Sequence, residues 1–229
     1  MRSYYTEKLH SNNLMCCYDL APPRIQQYLA AEISFVQAHI GSGTRVLELG
    51  CGYGRVLQHL LPAVEFACGI DISQANIALA RQLLSGKANC FLSIMDAVDM
   101  GFRDSSFDCI VCIQNGISAF HADQRMLISE SIRVTRDKGL VLFSSYSEKI
   151  WSERLAWFGL QSDLGLIGEI DWQKTYDGVI VCKDGFSATT VDPETFRMLL
   201  GNSPVYLSVQ EVDESSIFYV MTVHKHAQV

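Results

Sequence analysis

The sequence predicts an α/β domain built on a doubly wound, mostly parallel seven-stranded sheet with an antiparallel C-terminal strand. Three observations carry that reading. Short β-rich runs alternate with helical patterns through residues 45–146. Those runs are almost continuously apolar, as strands covered on both faces must be. Two alternating runs at the end of the chain flank a tight turn, the mark of a hairpin.

The elements follow in order. Residues 22–40 read as a helix: prolines suit its first turn, and Ile25, Tyr28, Leu29, Ile33, Val36 and Ile40 recur at helical spacing. Gly41 and Gly43 stop it. "RVLELG" is the first strand, and residues 55–61 resume as a helix ended by Pro62. "EFACGID" is the second strand, and "SQANIALARQLLSG" the second βαβ helix, with Ser73 as its N-cap. "ANCFLSIMD" and "FDCIVCIQN" supply strands three and four. "ADQRMLISESIRVTRDKG" reads as helix and "LVLFSSY" as strand five.

After residue 146 the rhythm breaks. "SEKIWSERLAWFGL" suggests a helix, and residues 169–190 alternate like antiparallel strands turning at Asp177-Gly178 and Asp184-Gly185. "DPETFRMLLGN" returns to helix, then "VYLSVQEVD" and "SIFYVMTVHK" close the sheet. The chain thus divides, within one domain over 1–229, into an N-terminal lid and helix (1–40) and a ligand-binding core (45–146). An inserted helix and β-hairpin cap (147–190) and a final helix and hairpin (191–229) complete it.

Bulk properties narrow the function. The chain is 229 residues and 48% hydrophobic, enough for a substantial core. Its net charge of −7 lacks the basic footprint of a nucleic-acid binder. No apolar run reaches the roughly 20 residues that span a bilayer, so a cytoplasmic protein with no membrane partner is expected. The eight cysteines do not read as a metal set: Cys109 and Cys112 form a CxxC inside a strand, where their sulfurs point to opposite faces. No metal is expected, although adjacent Cys16 and Cys17 leave a metalloid acceptor as a minor alternative.

The chemistry concentrates at "VLELGCGYGR". Gly50, Gly52 and Gly54 follow the first strand, where ligands of open α/β sheets settle. A dinucleotide loop wants GxGxxG, but here the third glycine comes one residue early and Arg55 takes its place. Glu48 precedes the loop where a nicotinamide dehydrogenase carries an apolar residue. Asp71 ends the second strand, placed to accept from ribose hydroxyls or simply to cap the next helix with Ser73. Asp96-Ala97 follows the third strand, facing an adenine amino group or merely starting a turn.

Glu48 with the three glycines, then Asp71, then Asp96-Ala97, then "FDCIV", resembles the class I S-adenosylmethionine-dependent methyltransferases, closely over residues 45–146. The resemblance implies S-adenosylmethionine as cofactor and methyl transfer to an N, O or S atom of a small-molecule acceptor. It implies that Gly50, Cys51, Gly52 and Gly54 lie against the methionine and ribose, with Glu48 organising the loop. Asp71 would hold the ribose, Ile72 would pack on the adenine, and Asp96 and Ala97 would meet its edge. Gln114 and Asn115 would lie under the methionine end. The stretch "QNGISAFH" resembles loops of small-molecule members, where His121 would serve as general base; an exposed His at a helix entry is the competing reading. Tyr18 and Arg24 belong to an expected lid.

The insertion's Trp151, Trp157, Phe158, Trp172 and Tyr176 suit an apolar roof over the acceptor, or a contact between two copies in a homodimer. A subunit that binds the cofactor without turnover is the non-enzymatic alternative.

Overall fold

The computed structural model describes residues 4–225. Helices α1 (Tyr4–Glu7), α2 (Ser11–Asp19) and α3 (Pro23–Gln37) precede the first strand. Pro23 at the first turn of α3 gives up an amide that has no helical partner there. Strand β1 (Arg45–Leu49) leads through the glycine loop to α4 (Leu57–Leu60). Pro62, which has no amide to donate, turns the end of that helix into a 3-10 segment, Leu61–Ala63. Then come β2 (Phe66–Asp71), α5 (Gln74–Leu83), β3 (Cys90–Ile94), β4 (Phe107–Cys112), α6 (Gly116–Ala119), α7 (Gln124–Val134) and β5 (Thr135–Tyr146). Helix α8 (Trp151–Asp163), short strands β6 (Ile180–Val181) and β7 (Ser187–Ala188), helix α9 (Pro193–Leu200) and strands β8 (Val205–Val212) and β9 (Ser216–Val223) complete the chain.

The main sheet has the order β3-β2-β1-β4-β5-β9-β8. The first five strands are parallel, and β9 runs antiparallel between β5 and β8. The strand order reverses between β1 and β4, so a crevice opens at their carboxyl ends. Each face of the sheet has its own core. Leu47, Ile70, Ile110 and Phe143 fill one, while Val46, Ala67, Val111 and Leu142 fill the other. Cys112 belongs to the first and Cys109 to the second, as alternation along a strand requires.

A third cluster lies over the crevice. Cys17, Ile25 and Tyr28 of the N-terminal helices pack with Trp157 and Phe158 of α8 and Ile180 of the β6–β7 hairpin. The lid and the insertion therefore form one cap. Trp157 fastens it further by donating from its indole nitrogen to the Cys17 carbonyl at 2.8 Å. Among the described residues no helix is long and apolar enough to cross a membrane.

Two elements differ from the sequence expectation. The helix expected through residue 139 ends at Val134, and Thr135–Tyr146 forms one long strand. Thr135 pairs with Phe107, and a register shift before Cys109 absorbs the residues in between. The alternating stretch 169–190 yields only the two-residue β6 and β7, extended by isolated bridges at Ile170–Cys182 and Tyr176–Val179.

Candidate active site

The crevice at the end of β1 is shaped first by backbone. Gly50, Gly52 and Gly54 all have positive φ, at 65°, 54° and 87°, a region that side chains with a Cβ avoid. What crowds each glycine differs. A Cβ at Gly50 would run into the Phe120 ring at the end of α6. One at Gly54 would come within 2.7 Å of Leu84 beyond α5, so this glycine lets helix and loop meet. At Gly52 the nearest atom would be Leu14 of α2, 3.2 Å away. Of the three, only a Cβ at the middle glycine would meet the lid.

Asp71 ends β2 beside this loop and is 9% exposed. Its carboxylate accepts from the amides of Gly52 at 2.9 Å and Ser73 at 2.7 Å. A carboxylate offers about four acceptor positions, so roughly two are left for ligand hydroxyls. Burial raises its pKa against those two bonds and the nearby Asn76 side chain. Ser73 caps α5 through Asn76 N, so Asp71 braces a cap as well as facing the crevice.

Glu48, Arg55 and Gln114 converge on a small cavity that Leu14 and Tyr18 also line. Glu48 is 5% exposed and one carboxylate oxygen has no partner. Burial pushes it up to about 8, with Arg55 pulling the other way. Arg55 leaves Nε and Nη2 buried and unpartnered, and its guanidinium lies 4.4 Å from the Tyr18 ring centre. Gln114 is left-handed at φ 57°, with its amide shared between Glu32 Oε2 at 2.6 Å and Ser144 Oγ at 2.9 Å. Its side-chain nitrogen is buried without a partner. Unsatisfied buried polar atoms are costly, and four sit together here.

The other expected residues spread out. Cys51 lines the same cavity through a buried small side chain. Ile72 is 43% exposed at the end of β2, open to a flat ligand. Asp96 is exposed after β3 and accepts from Val98 N at 3.0 Å, while Ala97 is buried. Asn115 donates to Thr189 O and accepts from Ser145, both at 2.9 Å, so its side chain fastens the insertion's return to the core. Arg24 is elsewhere: it grips the β8–β9 turn through the Asp213 carboxylate and carbonyl, at 2.6 Å each. His121 is exposed and does not line the cavity. Cys16 is exposed but Cys17 is buried and its thiol is pushed up to about 12, so the two do not present a joint thiolate site.

Glu32 escaped the sequence reading. It is completely buried on α3 and its carboxylate accepts from Gln114 N and the Ser216 hydroxyl. A signal existed: Glu32 falls on the apolar stripe of Ile25, Tyr28, Leu29, Ile33 and Val36, where a carboxylate has no place without a polar task.

The central part of the chain is similar to known proteins. Residues 46–139 match the family model described as a methyltransferase domain. That stretch is similar to the methyltransferase domains of S-adenosylmethionine-dependent enzymes. It is 26% identical over 137 residues to 2-methyl-6-phytyl-1,4-hydroquinone methyltransferase of Synechocystis, a match over 56% of this chain and 42% of that one. The chain thus spans less than half of that curated relative. Among solved structures, the PH0226 protein of Pyrococcus horikoshii superposes with a TM-score of 0.65 at 18% identity, covering 97% of this chain and 99% of that one. The N-methyltransferase NodS of Bradyrhizobium japonicum, solved with S-adenosylhomocysteine, gives 0.56 at 16% identity over 90% of each chain.

The methyltransferase cofactor fits the residues present. Its amino-acid end carries one carboxylate and one ammonium; Arg55 has free N–H groups for the first and Glu48 a free oxygen for the second. Asp71 keeps acceptor capacity for a ribose hydroxyl, and Asp96 stands exposed where an adenine amino group would reach the edge of β3. With α2 in place, the cavity bounded by Glu48, Arg55, Gln114, Leu14 and Tyr18 measures about 40 Å³, and Asp71, Ile72 and Asp96 lie outside its lining. Leu14 and Tyr18 wall off that part of the crevice.

Proposed function

We propose that the protein transfers a methyl group from S-adenosylmethionine to a nucleophilic nitrogen, oxygen or sulfur atom of a small-molecule acceptor. The observation that carries this reading is the set of unpartnered buried polar atoms on Glu48, Arg55 and Gln114 beside Asp71, behind a left-handed glycine loop. The hydroquinone named for the Synechocystis relative and the S-adenosylhomocysteine in NodS support it. One unit over residues 1–229, with 147–190 on the acceptor side, belongs to the same reading.

Bound in the crevice, S-adenosylmethionine supplies a methyl group already activated by its sulfonium. The chain's own task is then alignment and exclusion of water, which suffices where the electrophile needs no further activation. Arg55 and Glu48 hold the amino-acid end, Asp71 fixes the ribose, and the glycine loop permits close approach. Gln114, pinned by Glu32 and Ser144, sets the floor at the end of β4. His121 lies outside the cavity, so no step is assigned to it. Trp157 and Phe158 are buried in the cap, which makes them supports of the roof and not its lining.

An acceptor search tests this reading: the protein is incubated with methyl-labelled S-adenosylmethionine and fractionated small metabolites, and the label is followed. Label in a small molecule is expected. Tight cofactor binding with no transfer to any fraction favours the alternative, a silent cofactor-binding regulatory or assembly subunit.

A further inference from the structure

The first residue of the α2 lid is hydrogen-bonded to the cofactor side of the crevice. The amide of Ser11, first residue of α2, donates to Asn76 Oδ1 at 2.7 Å. Asn76 is 2% exposed, and its own backbone amide is fixed by Ser73. Because its carbonyl accepts from Ser11, the NH₂ end of its side chain is the end left for Asp71, whose pKa it helps to lower. Ser11 itself sits at φ 50°, a left-handed position that a serine holds only when its surroundings over-determine it. One turn further along α2, Leu14 covers Gly52, and Tyr18 stacks over Arg55.

We propose that Asn76 is a positioning residue that couples closure of the α2 lid to the Asp71 carboxylate, so that the lid closes over a ribose held there. This deepens the methyltransferase reading and rests on it. Gly52 is the hinge point of the coupling: its amide binds Asp71 and its open Cα face receives Leu14. A ligand hydroxyl on Asp71 shares the carboxylate with Asn76. It thereby holds the amide in the orientation that accepts from Ser11, and the cap settles back over the bound cofactor.

Hydrogen exchange of the full-length protein, with and without S-adenosylhomocysteine, reads this directly. In the wild type the ligand should slow exchange across residues 11–19 at least tenfold. Asn76→Ala should still bind S-adenosylhomocysteine, weakened about 2- to 10-fold as befits one or two lost hydrogen bonds, but lose most of that ligand-dependent protection. Asn76→Asp keeps an acceptor for Ser11 and places a second carboxylate against Asp71. It should weaken ligand binding more than Asn76→Ala does and make protection of α2 independent of ligand. Full ligand-dependent protection in either variant, with the ligand bound, overturns the coupling; a lower melting temperature with unchanged coupling would mark Asn76 as merely structural. If the wild type does not bind S-adenosylhomocysteine, the methyltransferase reading itself fails, and this inference with it.

Discussion

Asp71 and Glu48 show how far single residues could be read. Both were legible because they border a local signature: each lies within a few positions of a strand end and needs no tertiary knowledge to place. Glu32 and Asn76 were not, because their importance comes from partners more than sixty positions away, Gln114 and Ser11. Glu48 and Glu32 also give the molecule a definite pH response. Burial pushes them up to about 8 and about 7, so each holds its proton more tightly folded than unfolded. They favour the folded state at low pH, and that contribution is lost as pH rises through those values. Thermal unfolding followed from about pH 5 to about pH 8 should therefore show a declining melting temperature, and Glu48→Gln should flatten the decline. For Asp71→Ala, calorimetry should find cofactor affinity reduced by about 2–3 kcal/mol.

At the scale of elements, the glycine loop proved to be three different devices. Gly50 and Gly52 both line the cavity, and beyond that Gly50 accommodates Phe120 and Gly54 accommodates Leu84. Gly54→Ala should thus destabilise the fold by about 1–3 kcal/mol through strain and overpacking, measured by denaturant unfolding. Gly52→Ala should cost less stability while impairing cofactor binding more. The parallel strands were readable from their apolar runs, whereas residues 169–190 were not. Alternation there is real, but it is spread over bridges and two-residue pairs that no periodicity of so short a length can register. The end of α7 was missed for a related reason: Thr135 pairs across the sheet with Phe107, and tertiary pairing overrode a helical pattern.

At the scale of the whole molecule, the N-terminal helices and the 147–190 insertion form one cap whose interior is hydrophobic. The cap closes a crevice that the sheet's strand order creates, and the orphaned groups of Glu48, Arg55 and Gln114 lie beneath it. Sequence motifs identified the crevice; how thoroughly the lid covers it depends on packing between segments about 140 positions apart, as in the bond from Trp157 to Cys17. The account stands on that crevice accepting an S-adenosyl nucleoside in preference to a dinucleotide. Titration calorimetry of the full-length protein with S-adenosylhomocysteine and, separately, with NADH tests it most directly. Saturable binding of S-adenosylhomocysteine, weakened in Asp71→Ala, with little heat from NADH is the expected result; preference for NADH, or no binding of S-adenosylhomocysteine, would contradict it.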